Sequence, residues 1–255
     1  MPVEDFLVVL CAPRSPVAEG YRSLRATLQL SLGKGLKSLV VLSCWSGDGK
    51  SMVCANLAAS LAQLFIKTVL IDGDLRKPTL SSLFEARDKP GLSDILDQGM
   101  ALDDVLLKTP LENLSFMPAG TCLENAGDLL GRGKLQGLLA TLADRDYCTI
   151  IDSPPLSACR DSLLLCSNAD AAVMVASQKQ WLGEPEIQFK QILDDNKIQL
   201  LGVILNGTVG ADRSYGPGGY GGGYGYGYGQ SSSSAPQPEG LQAKKPWWKK
   251  LSPFG

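Results

Sequence analysis

The sequence predicts an α/β fold with a doubly wound, mostly parallel sheet, followed by a disordered C-terminal tail. Short apolar runs alternate with stretches of helical periodicity from residue 39 to residue 206, which is typical of βαβ units. Several of these runs end in aspartates or in a glycine-containing turn, as the strands of a parallel sheet do where they line a ligand crevice. Beyond residue 210 the periodicity stops and glycine dominates.

Length and composition place one domain at residues 1–210 and a tail at 211–255. The chain has 255 residues, 44% of them hydrophobic, which suffices for a sizeable core. Its net charge of −2 argues against a nucleic-acid partner, because such proteins carry a basic excess. No apolar run approaches the ~18–20 residues of a membrane span, and no secretory signal is apparent. Seven scattered cysteines fit a reducing compartment, so we expect a cytoplasmic protein.

Histidine is absent from the chain. Its absence excludes Ser–His and Cys–His catalysis, and it excludes metal sites with histidine ligands. A general base must therefore be a carboxylate, a lysine or a tyrosine.

The stretch from Ser43 to Ser51 organises the predicted site. It reads Ser-Cys-Trp-Ser-Gly-Asp-Gly-Lys-Ser and lies between an apolar run and a helical stretch. This context is typical of a phosphate-binding P-loop, where glycines let backbone N–H groups face a phosphate and the helix dipole adds positive charge. Lys50 would reach the outer phosphates, and Ser51 would ligate Mg²⁺. The sheet is therefore predicted to be of the P-loop NTPase type. The strict pattern has glycine at the position of Cys44, and the alternative is an ordinary turn with an exposed lysine.

The N-terminal region is predicted to contain one strand and one helix. Residues 6–10 are predicted as a short strand, and Ser15 followed by Pro16 predicts a helix that runs to about Leu32. On that helix, charged residues recur at three-residue spacing, namely Glu19, Arg22 and Arg25. The spacing alone favours a solvated face with an intrahelical ion pair, worth ~0.2–0.5 kcal/mol. A charged contact between subunits is the alternative.

Two further apolar runs end in carboxylates. Residues 68–71 lead into Asp72 and Asp74, and residues 148–151 lead into Asp152, which a proline pair follows. Because the carboxyl ends of parallel strands share one edge of the sheet, we expect these acids at one site. Their charges would be unfavourable together without a cation, which Mg²⁺ bound to a triphosphate supplies. Asp152 has the form of a Walker B acid, and the alternative is a set of solvated aspartates in turns.

The rest of the domain completes the alternation of strands and helices. The expected elements are short helical pieces within 78–112, a strand at 114–118, a helix at 134–145, a strand at 170–176, a helix at 183–196 and a strand at 200–206. Such an order predicts right-handed crossover connections.

The tail at 211–255 has too few apolar residues to offset the entropy of ordering, so we expect it to be disordered. Residues 215–229 contain nine glycines and five tyrosines. The tyrosines are Tyr215, Tyr220, Tyr224, Tyr226 and Tyr228. They are either part of a low-complexity segment or accessible phosphoryl acceptors on a flexible tether. Residues 244–251 place lysines around two tryptophans, which suits a membrane surface, a partner or a solvated tail equally.

Four segments, taken in order, resemble the bacterial tyrosine kinases (BY-kinases), the cytoplasmic autokinases of capsule and exopolysaccharide export. They are Ser43–Ser51, Ile71–Pro78, Ile150–Pro155 and the C-terminal tyrosine cluster. Residues Glu19–Arg25 are similar to the family's E-x-x-R-x-x-R oligomerisation motif. The resemblance covers residues from about 14 to 229. It implies an ATP-dependent tyrosine autokinase that regulates exopolysaccharide polymerisation and export.

The resemblance also implies a role for each site residue. The implied nucleotide contacts are Gly47, Asp48, Gly49, Lys50, Ser51, Met52 and Asn206, of which Asn206 resembles the residue that reads adenine. The implied Mg²⁺ ligands are Ser51, Asp74 and Asp152. Asp72 resembles the family's base for the tyrosine hydroxyl, and Lys50, Asp74 and Asp152 complete the implied catalytic set. The five tail tyrosines would be the substrates, and Glu19, Arg22 and Arg25 would form a contact between subunits.

The partners implied by the resemblance follow from the same family. They are a ring-like homo-oligomer whose subunits phosphorylate each other's tails, a membrane-embedded polysaccharide co-polymerase that activates the kinase, and a protein-tyrosine phosphatase. The chain would then act at the inner face of the cell membrane through its partner.

Three positions depart from the family pattern. Ser46 stands where proline is usual, Trp45 is unusual, and Gln178 stands where arginine is common. The missing proline bears on turnover more than on nucleotide binding. Two rivals therefore stay open: a partitioning-type switch ATPase, which would typically carry a second lysine in place of Trp45, and a non-catalytic ATP-binding scaffold of a polysaccharide exporter. A nucleic-acid-binding Gly/Tyr tail is disfavoured, because that segment has almost no arginine.

Overall fold

The computed structural model describes residues 6–122, 125–178 and 183–207. The predictions for the tail at 211–255, including its disorder, its five tyrosines and its lysine–tryptophan segment, lie outside these residues. Across the described ranges, none of the helices combines the length and the apolar composition that crossing a membrane requires.

A seven-stranded sheet forms the centre of the described domain. Its strands are β1 Ser38–Ser43, β2 Thr68–Asp72, β3 Leu107–Lys108, β4 Leu114–Met117, β5 Cys148–Asp152, β6 Ala171–Ser177 and β7 Leu200–Asn206. They lie in the order β3-β4-β2-β5-β1-β6-β7, and every neighbouring pair is parallel except β3 with β4. The predicted doubly wound, mostly parallel sheet is confirmed.

Helices cover both faces of this sheet. They are α1 Val8–Cys11, α2 Pro16–Leu32, α3 Lys50–Ala62, α4 Thr79–Leu83, α5 Leu92–Gln98, α6 Leu102–Val105, α7 Ala126–Leu130, α8 Lys134–Asp144, α9 Asp161–Asn168 and α10 Glu184–Asp195. The buried side chains of α1 to α4 join one apolar core, and those of α5 to α10 join the other. The sheet, buried on both faces, explains why its strands are apolar along their whole length.

The N-terminal segment differs from the prediction. The strand predicted at 6–10 is wrong, because Val8–Cys11 forms one helical turn. Asn56 of α3 meets the polar backbone groups that a sheet neighbour would otherwise satisfy: its Oδ1 accepts the N–H of Val9 at 3.3 Å, and its amide donates to the carbonyl of Phe6 at 3.4 Å. A five-residue apolar run cannot distinguish a buried strand from a buried helical turn.

The other predicted helix boundaries hold to within a few residues. Ser15 caps α2, its hydroxyl accepting the N–H of Ala18 at 3.1 Å, with Pro16 in the first turn. Helices α7 and α9 and the two-residue strand β3 were not predicted. Helix α9 follows the proline pair after β5 and has a weak apolar periodicity, whereas β3 is too short to carry a pattern.

Candidate functional site

The turn between β1 and α3 has the backbone of a phosphate-binding loop. Gly47 and Gly49 adopt φ values of +89° and +85°, a conformation that other residues rarely take. At Gly49 a Cβ atom would lie only 2.1 Å from the amide nitrogen of Asn206. Glycine is therefore required at residue 49 both by its conformation and by the close approach of a side chain.

Asp48 and Asn206 fix this turn to the neighbouring strands. The two carboxylate oxygens of Asp48 accept backbone N–H groups from Trp45 at 3.0 Å and from Ser177 at 3.3 Å. The amide of Asn206, at the end of β7, donates to the backbone carbonyl of Asp48 at 2.9 Å. Burial raises the pKa of Asp48, while the two backbone N–H groups lower it and Glu186 raises it again. The turn is thus anchored to the ends of β6 and β7.

Lys50 and Asp152 form a buried ion pair behind the turn. Their Nζ and Oδ1 atoms are 2.5 Å apart, and the two side chains are 9% and 1% exposed. Burial alone would lower the pKa of Lys50, but the neighbouring charges, Asp152 first, raise the pKa above its usual value. The other oxygen of Asp152, Oδ2, is buried and has no hydrogen-bond partner among the described residues. Such an acceptor fits a site that receives a cation or a donor from outside the chain.

Asp72 is the in-register neighbour of Asp152 on the adjacent strand, but its surroundings differ. One oxygen accepts the backbone N–H of Ser81 at 2.7 Å and its hydroxyl at 2.8 Å, and the other accepts the N–H of Asp74 at 3.3 Å. Burial and the charge of Asp152 raise the pKa of Asp72 to about 7. Asp72 is fully buried and does not line the cavity described below.

The strand ends that carry these acids are held at a fixed spacing by Gly73. Its N–H donates to the carbonyl of Asp152 at 2.9 Å. A Cβ atom at residue 73 would lie 2.4 Å from that carbonyl oxygen, which is too close for any side chain. The approach of the two backbones thus requires glycine between Asp72 and Asp74.

Asp74 lies nearer the surface than Asp72. One of its oxygens accepts the backbone N–H groups of Arg76 at 3.2 Å and Lys77 at 2.9 Å. Burial raises the pKa of Asp74, opposed by these hydrogen bonds and by Lys50. Arg76 also donates from Nε to Asp161 of α9 at 2.7 Å. This bond links the loop after β2 to a helix of the core formed by α5 to α10.

A cavity of about 550 Å³ opens beside the turn. One wall is the turn itself with the start of α3, the second carries the charged residues that follow β2, and the third is apolar. The lining residues are Ser43, Trp45–Met52, Asp74, Arg76, Lys77, Thr79, Pro154, Pro155, Ala158 and Cys159. Its volume lies within the range of small-molecule sites.

The structure brings most of the predicted site residues together. Gly47, Asp48, Gly49, Lys50, Ser51, Met52 and Asp74 line the cavity. Asp152 adjoins it through Lys50, whereas Asp72 and Asn206 lie behind it with their polar atoms engaged inside the chain. Within the described ranges, no group of three or more Cys, Asp or Glu residues could hold a metal ion. Mg²⁺ is usually held by only one or two carboxylates together with substrate phosphates, so Asp74 and Asp152 still fit such a site.

Sequence reasoning missed Ser81 and Asp161, which orient Asp72 and Arg76. Neither follows an apolar strand, and neither has a fixed spacing from its partner. No local signal in the sequence identifies them.

The three charged residues of α2 make contacts within the chain. Arg22 pairs with Glu19 at 2.6 Å and also donates to the carbonyl of Pro13. Arg25 donates to the carbonyl and the hydroxyl of Ser60 on α3, at 2.9 and 3.3 Å. The intrahelical ion pair is therefore present, and a role of these residues between subunits stays a prediction.

Residues 36–212 match the family described as ParA, NUBPL iron-transfer P-loop NTPase. The tyrosine-protein kinase YwqD of Bacillus subtilis is 31% identical over 202 residues, which cover 79% of this chain and 85% of that protein. The putative tyrosine-protein kinase EpsB of Ralstonia nicotianae is 32% identical over 84% of this chain, yet the match spans only 29% of EpsB. The kinase domain of the Escherichia coli tyrosine kinase ETK superposes with a TM-score of 0.76 at 27% identity, covering 88% of this chain and 84% of that domain.

Proposed function

Since the chain belongs to the bacterial tyrosine kinase family, with a ParA-like P-loop NTPase domain, we propose that it is an ATP-dependent protein-tyrosine autokinase. The observation that carries this proposal is the buried Lys50–Asp152 pair: Lys50 lines the cavity beside the phosphate-binding turn, and Oδ2 of Asp152 is buried with no hydrogen-bond partner among the described residues. A lysine that stays charged under burial is suited to bind the outer phosphates of ATP.

The proposed nucleotide contacts are the turn residues and the start of α3. Gly47, Asp48, Gly49, Lys50, Ser51 and Met52 would hold the phosphates, and Asn206 would stand at the adenine end. Ser51, Asp74 and Asp152 would hold Mg²⁺, which neutralises phosphate charge when it is bound. The amide of Asn206 donates to the carbonyl of Asp48 at 2.9 Å, so Asn206 would also influence nucleotide binding by fixing the shape of the turn.

Asp72 is the proposed base for the tyrosine hydroxyl. A pKa of about 7 lets a carboxylate accept a proton near neutral pH. Because Asp72 does not line the cavity and Asp74 does, Asp74 is the alternative acceptor. Measuring both turnover at saturating Mg·ATP and nucleotide affinity in Asp72→Asn and Asp74→Asn distinguishes the two, since loss of a base lowers turnover alone, whereas loss of a metal ligand also lowers nucleotide affinity.

The proposed substrates are Tyr215, Tyr220, Tyr224, Tyr226 and Tyr228, modified between subunits of a ring-like homo-oligomer. Glu19, Arg22 and Arg25 would contribute to the contact between subunits. A tail of 211–255 joined to a domain of 1–210 would present these tyrosines to a neighbouring site at high effective concentration. Each phosphate adds about −1.5 to −2 charge, so we expect repulsion to dissociate the assembly. An assembly size unchanged after phosphorylation, measured by native mass spectrometry, would contradict this.

The biological role we propose is regulation of exopolysaccharide polymerisation and export. A membrane-embedded polysaccharide co-polymerase would activate the kinase and hold it at the inner face of the membrane, and a protein-tyrosine phosphatase would reverse the modification. Relatives named tyrosine-protein kinases support the enzymatic part of this proposal.

Two other functions have a specific observation in their favour. The match to the ParA family favours a switch ATPase, and Ser46 in place of the usual proline favours a non-catalytic scaffold. Trp45 argues against the switch ATPase, which would typically carry a lysine there.

One experiment separates the three functions. The full chain is incubated with Mg·ATP beside Lys50→Met, with and without a membrane activator, and phosphate is located by mass spectrometry. Phosphotyrosine in the tail that is lost in Lys50→Met supports the kinase. ATP hydrolysis without phosphotyrosine supports the switch ATPase, and nucleotide binding without either supports the scaffold.

A further inference from the structure

The third wall of the cavity has no evident part in phosphate binding. It consists of Trp45, from the beginning of the turn, together with Pro154, Pro155, Ala158 and Cys159, and these present an aromatic ring, two proline rings and two small side chains. The other two walls carry the groups that suit a triphosphate. An apolar wall beside them suits a ring or an aliphatic group.

This wall is assembled by backbone hydrogen bonds between two loops. The N–H of Leu156 donates to the carbonyl of Ser43 at 2.9 Å, and the N–H of Ser157 donates to the carbonyl of Cys44 at 3.0 Å. The loop after β5 is thereby held against the start of the phosphate-binding turn. The apolar surface is a fixed part of the site.

Trp45 is held in place on both sides of its backbone. Its N–H donates to Asp48 at 3.0 Å, and its carbonyl accepts the hydroxyl of Ser43 at 3.0 Å. The indole ring packs on the core of α5 to α10, with part of it accessible in the cavity. The indole Nε1 is buried without a hydrogen-bond partner among the described residues, which is unfavourable. Packing stability alone is therefore a poor reason for tryptophan at this residue.

In the proposed nucleotide pose, the outer phosphates would bind next to the Lys50–Asp152 pair, close in sequence to this wall. Pro154 and Pro155 follow Asp152 by two and three residues, and Asp152 pairs with Lys50 at 2.5 Å. An acceptor hydroxyl must approach the outermost phosphate from a neighbouring surface. This apolar wall is such a surface.

The acceptors in the tail offer little besides their rings. Tyr220, Tyr224, Tyr226 and Tyr228 are each flanked by glycine on both sides. Flanking side chains therefore cannot contribute to recognition, and the phenol ring is the one side chain available. Stacked or edge-on contacts between aromatic rings, and contacts with proline, are what recognise such a group.

We propose that Trp45, supported by Pro155, binds the ring of the acceptor tyrosine and makes the site specific for tyrosine over serine and threonine. This inference rests on the proposed kinase function. The occupant is a tyrosyl ring from residues 215–228. In the transfer it serves, the phenolic oxygen forms a bond to the outermost phosphorus, the bond from that phosphorus to ADP breaks, and the hydroxyl proton passes to a carboxylate.

The number of residues between the last strand and the tyrosines sets how far their rings can reach. Tyr215 follows Asn206, the last residue of β7, by nine residues, which span up to about 30 Å when extended. The amide of Asn206 donates to the backbone carbonyl of Asp48 in the phosphate-binding turn. The proposal concerns which surface binds the ring, and it holds whether the ring comes from the same chain or from another copy.

The test uses full chains that separate enzyme from acceptor. The enzyme carries all five tail tyrosines changed to alanine, so that it cannot modify or occupy itself. The acceptor is the Lys50→Met chain, which keeps its tyrosines. Initial rates of tail phosphorylation are measured against acceptor concentration, and nucleotide affinity is measured with a fluorescent ATP analogue.

We expect Trp45→Ala in the enzyme to lower kcat/KM for the acceptor about tenfold, with nucleotide affinity within about twofold. Trp45→Phe should restore most of that loss, and Trp45→Leu should not. Tyr147→Ala is the matched control: it removes an aromatic ring from the same core, next to β5 but at the opposite end of the strand from Asp152. It should leave kcat/KM for the acceptor within about twofold.

Unchanged acceptor kinetics in Trp45→Ala, with transfer still measurable, would overturn the inference and leave the kinase function standing. A loss of nucleotide affinity equal to the loss of kcat/KM would overturn it as well, because Trp45 would then bind the nucleotide. If the parent enzyme transfers nothing to the tail, the kinase function and the inference both fail.

A second measurement needs no variant of Trp45. In the parent enzyme, N-acetyl-tyrosinamide should inhibit competitively against the acceptor and not against ATP, and N-acetyl-serinamide should not inhibit. Equal inhibition by the two amides, or competition with ATP, would overturn the inference.

Discussion

Asp72 and Asp152 end adjacent strands in register, yet the protein treats the two carboxylates in opposite ways. Asp152 faces a cation, Lys50, and keeps one buried oxygen without a partner among the described residues. Asp72 forms no ion pair with the part of the chain that the structure describes, and three N–H or O–H donors from Ser81 and Asp74 engage its oxygens. Asp152 forms an ion pair with Lys50, whereas burial and the charge of Asp152 raise the pKa of Asp72 to about 7. The same pattern in sequence, an apolar strand that ends in aspartate, thus gives two different chemical environments.

The strongest way to break this contrast is to remove the cation. Lys50→Met leaves the Asp152 carboxylate buried and uncompensated, and we expect a loss of about 3–5 kcal/mol in the free energy of unfolding. Urea unfolding measures this loss. The double variant Lys50→Met/Asp152→Asn should recover most of the stability, but it should not recover tail phosphorylation. Equal stability of Lys50→Met and the wild type would show that the pair is not buried as described.

The raised pKa of Asp72 predicts that the stability of the protein depends on pH. The pKa of Asp72 is raised from an unfolded value near 3.9 to about 7, so the folded state binds the extra proton. The contribution of Asp72 to the free energy of unfolding is therefore fully present below about pH 4. It is lost as the pH rises through 7, by up to about 4 kcal/mol. Urea unfolding between pH 5 and pH 8 should show about two thirds of this loss in the wild type and a flatter profile in Asp72→Asn. Matching profiles for the two proteins would contradict the raised pKa.

Ser81 sharpens the contrast at smaller magnitude. Its hydroxyl donates to Asp72 and accepts the N–H of Ala119 at 3.0 Å, so Ser81→Ala leaves buried groups unpaired. We expect a destabilisation of about 1–3 kcal/mol in urea unfolding at pH 7. The neighbouring Ser82 hydroxyl instead donates to the carbonyl of Pro78 and accepts Nε–H of Arg87 near the surface, so Ser82→Ala should stay within about 0.5 kcal/mol. Similar losses in both variants would remove the special role of Ser81.

The smallest effect is expected at the exposed pair on α2. Glu19→Gln removes the partner of Arg22, and the carboxylate side of that pair is 67% exposed. Stability should change by less than about 0.5 kcal/mol, because solvent screens such pairs. Native mass spectrometry of the same variant tests the proposed subunit contact. A smaller assembly with unchanged stability would support that contact, and an unchanged assembly would argue against it.

The sequence contains enough information for the order of the sheet elements and for the phosphate-binding turn. Buried parallel strands are apolar along their whole length and end at one edge, so β1, β2 and β5 and their polar ends are readable as local patterns. The different surroundings of Asp72 and Asp152 were not readable. They depend on Ser81 and Lys50, which lie 9 and 102 residues away in the chain.

The incorrect strand at 6–10 and the inward contact of Arg25 have a related cause. In both, a polar side chain of α3 meets backbone or guanidinium groups from the N-terminal region: Asn56 binds Val9, and Ser60 binds Arg25. Periodicity describes which face of an element is apolar. It does not describe which side chain on another helix will supply a hydrogen bond.

Gly73 holds the ends of the two strands that carry Asp72 and Asp152 close together. Its N–H donates to the carbonyl of Asp152, and a Cβ atom at residue 73 would lie 2.4 Å from that oxygen, so the two backbones approach more closely than any other residue would allow. Because this contact joins two backbones, substitutions of side chains elsewhere should leave it unchanged. Gly73→Ala would place a methyl group between the two backbones and push the ends of β2 and β5 apart. The distance between Asp72 and Asp152 could then be changed by a single substitution.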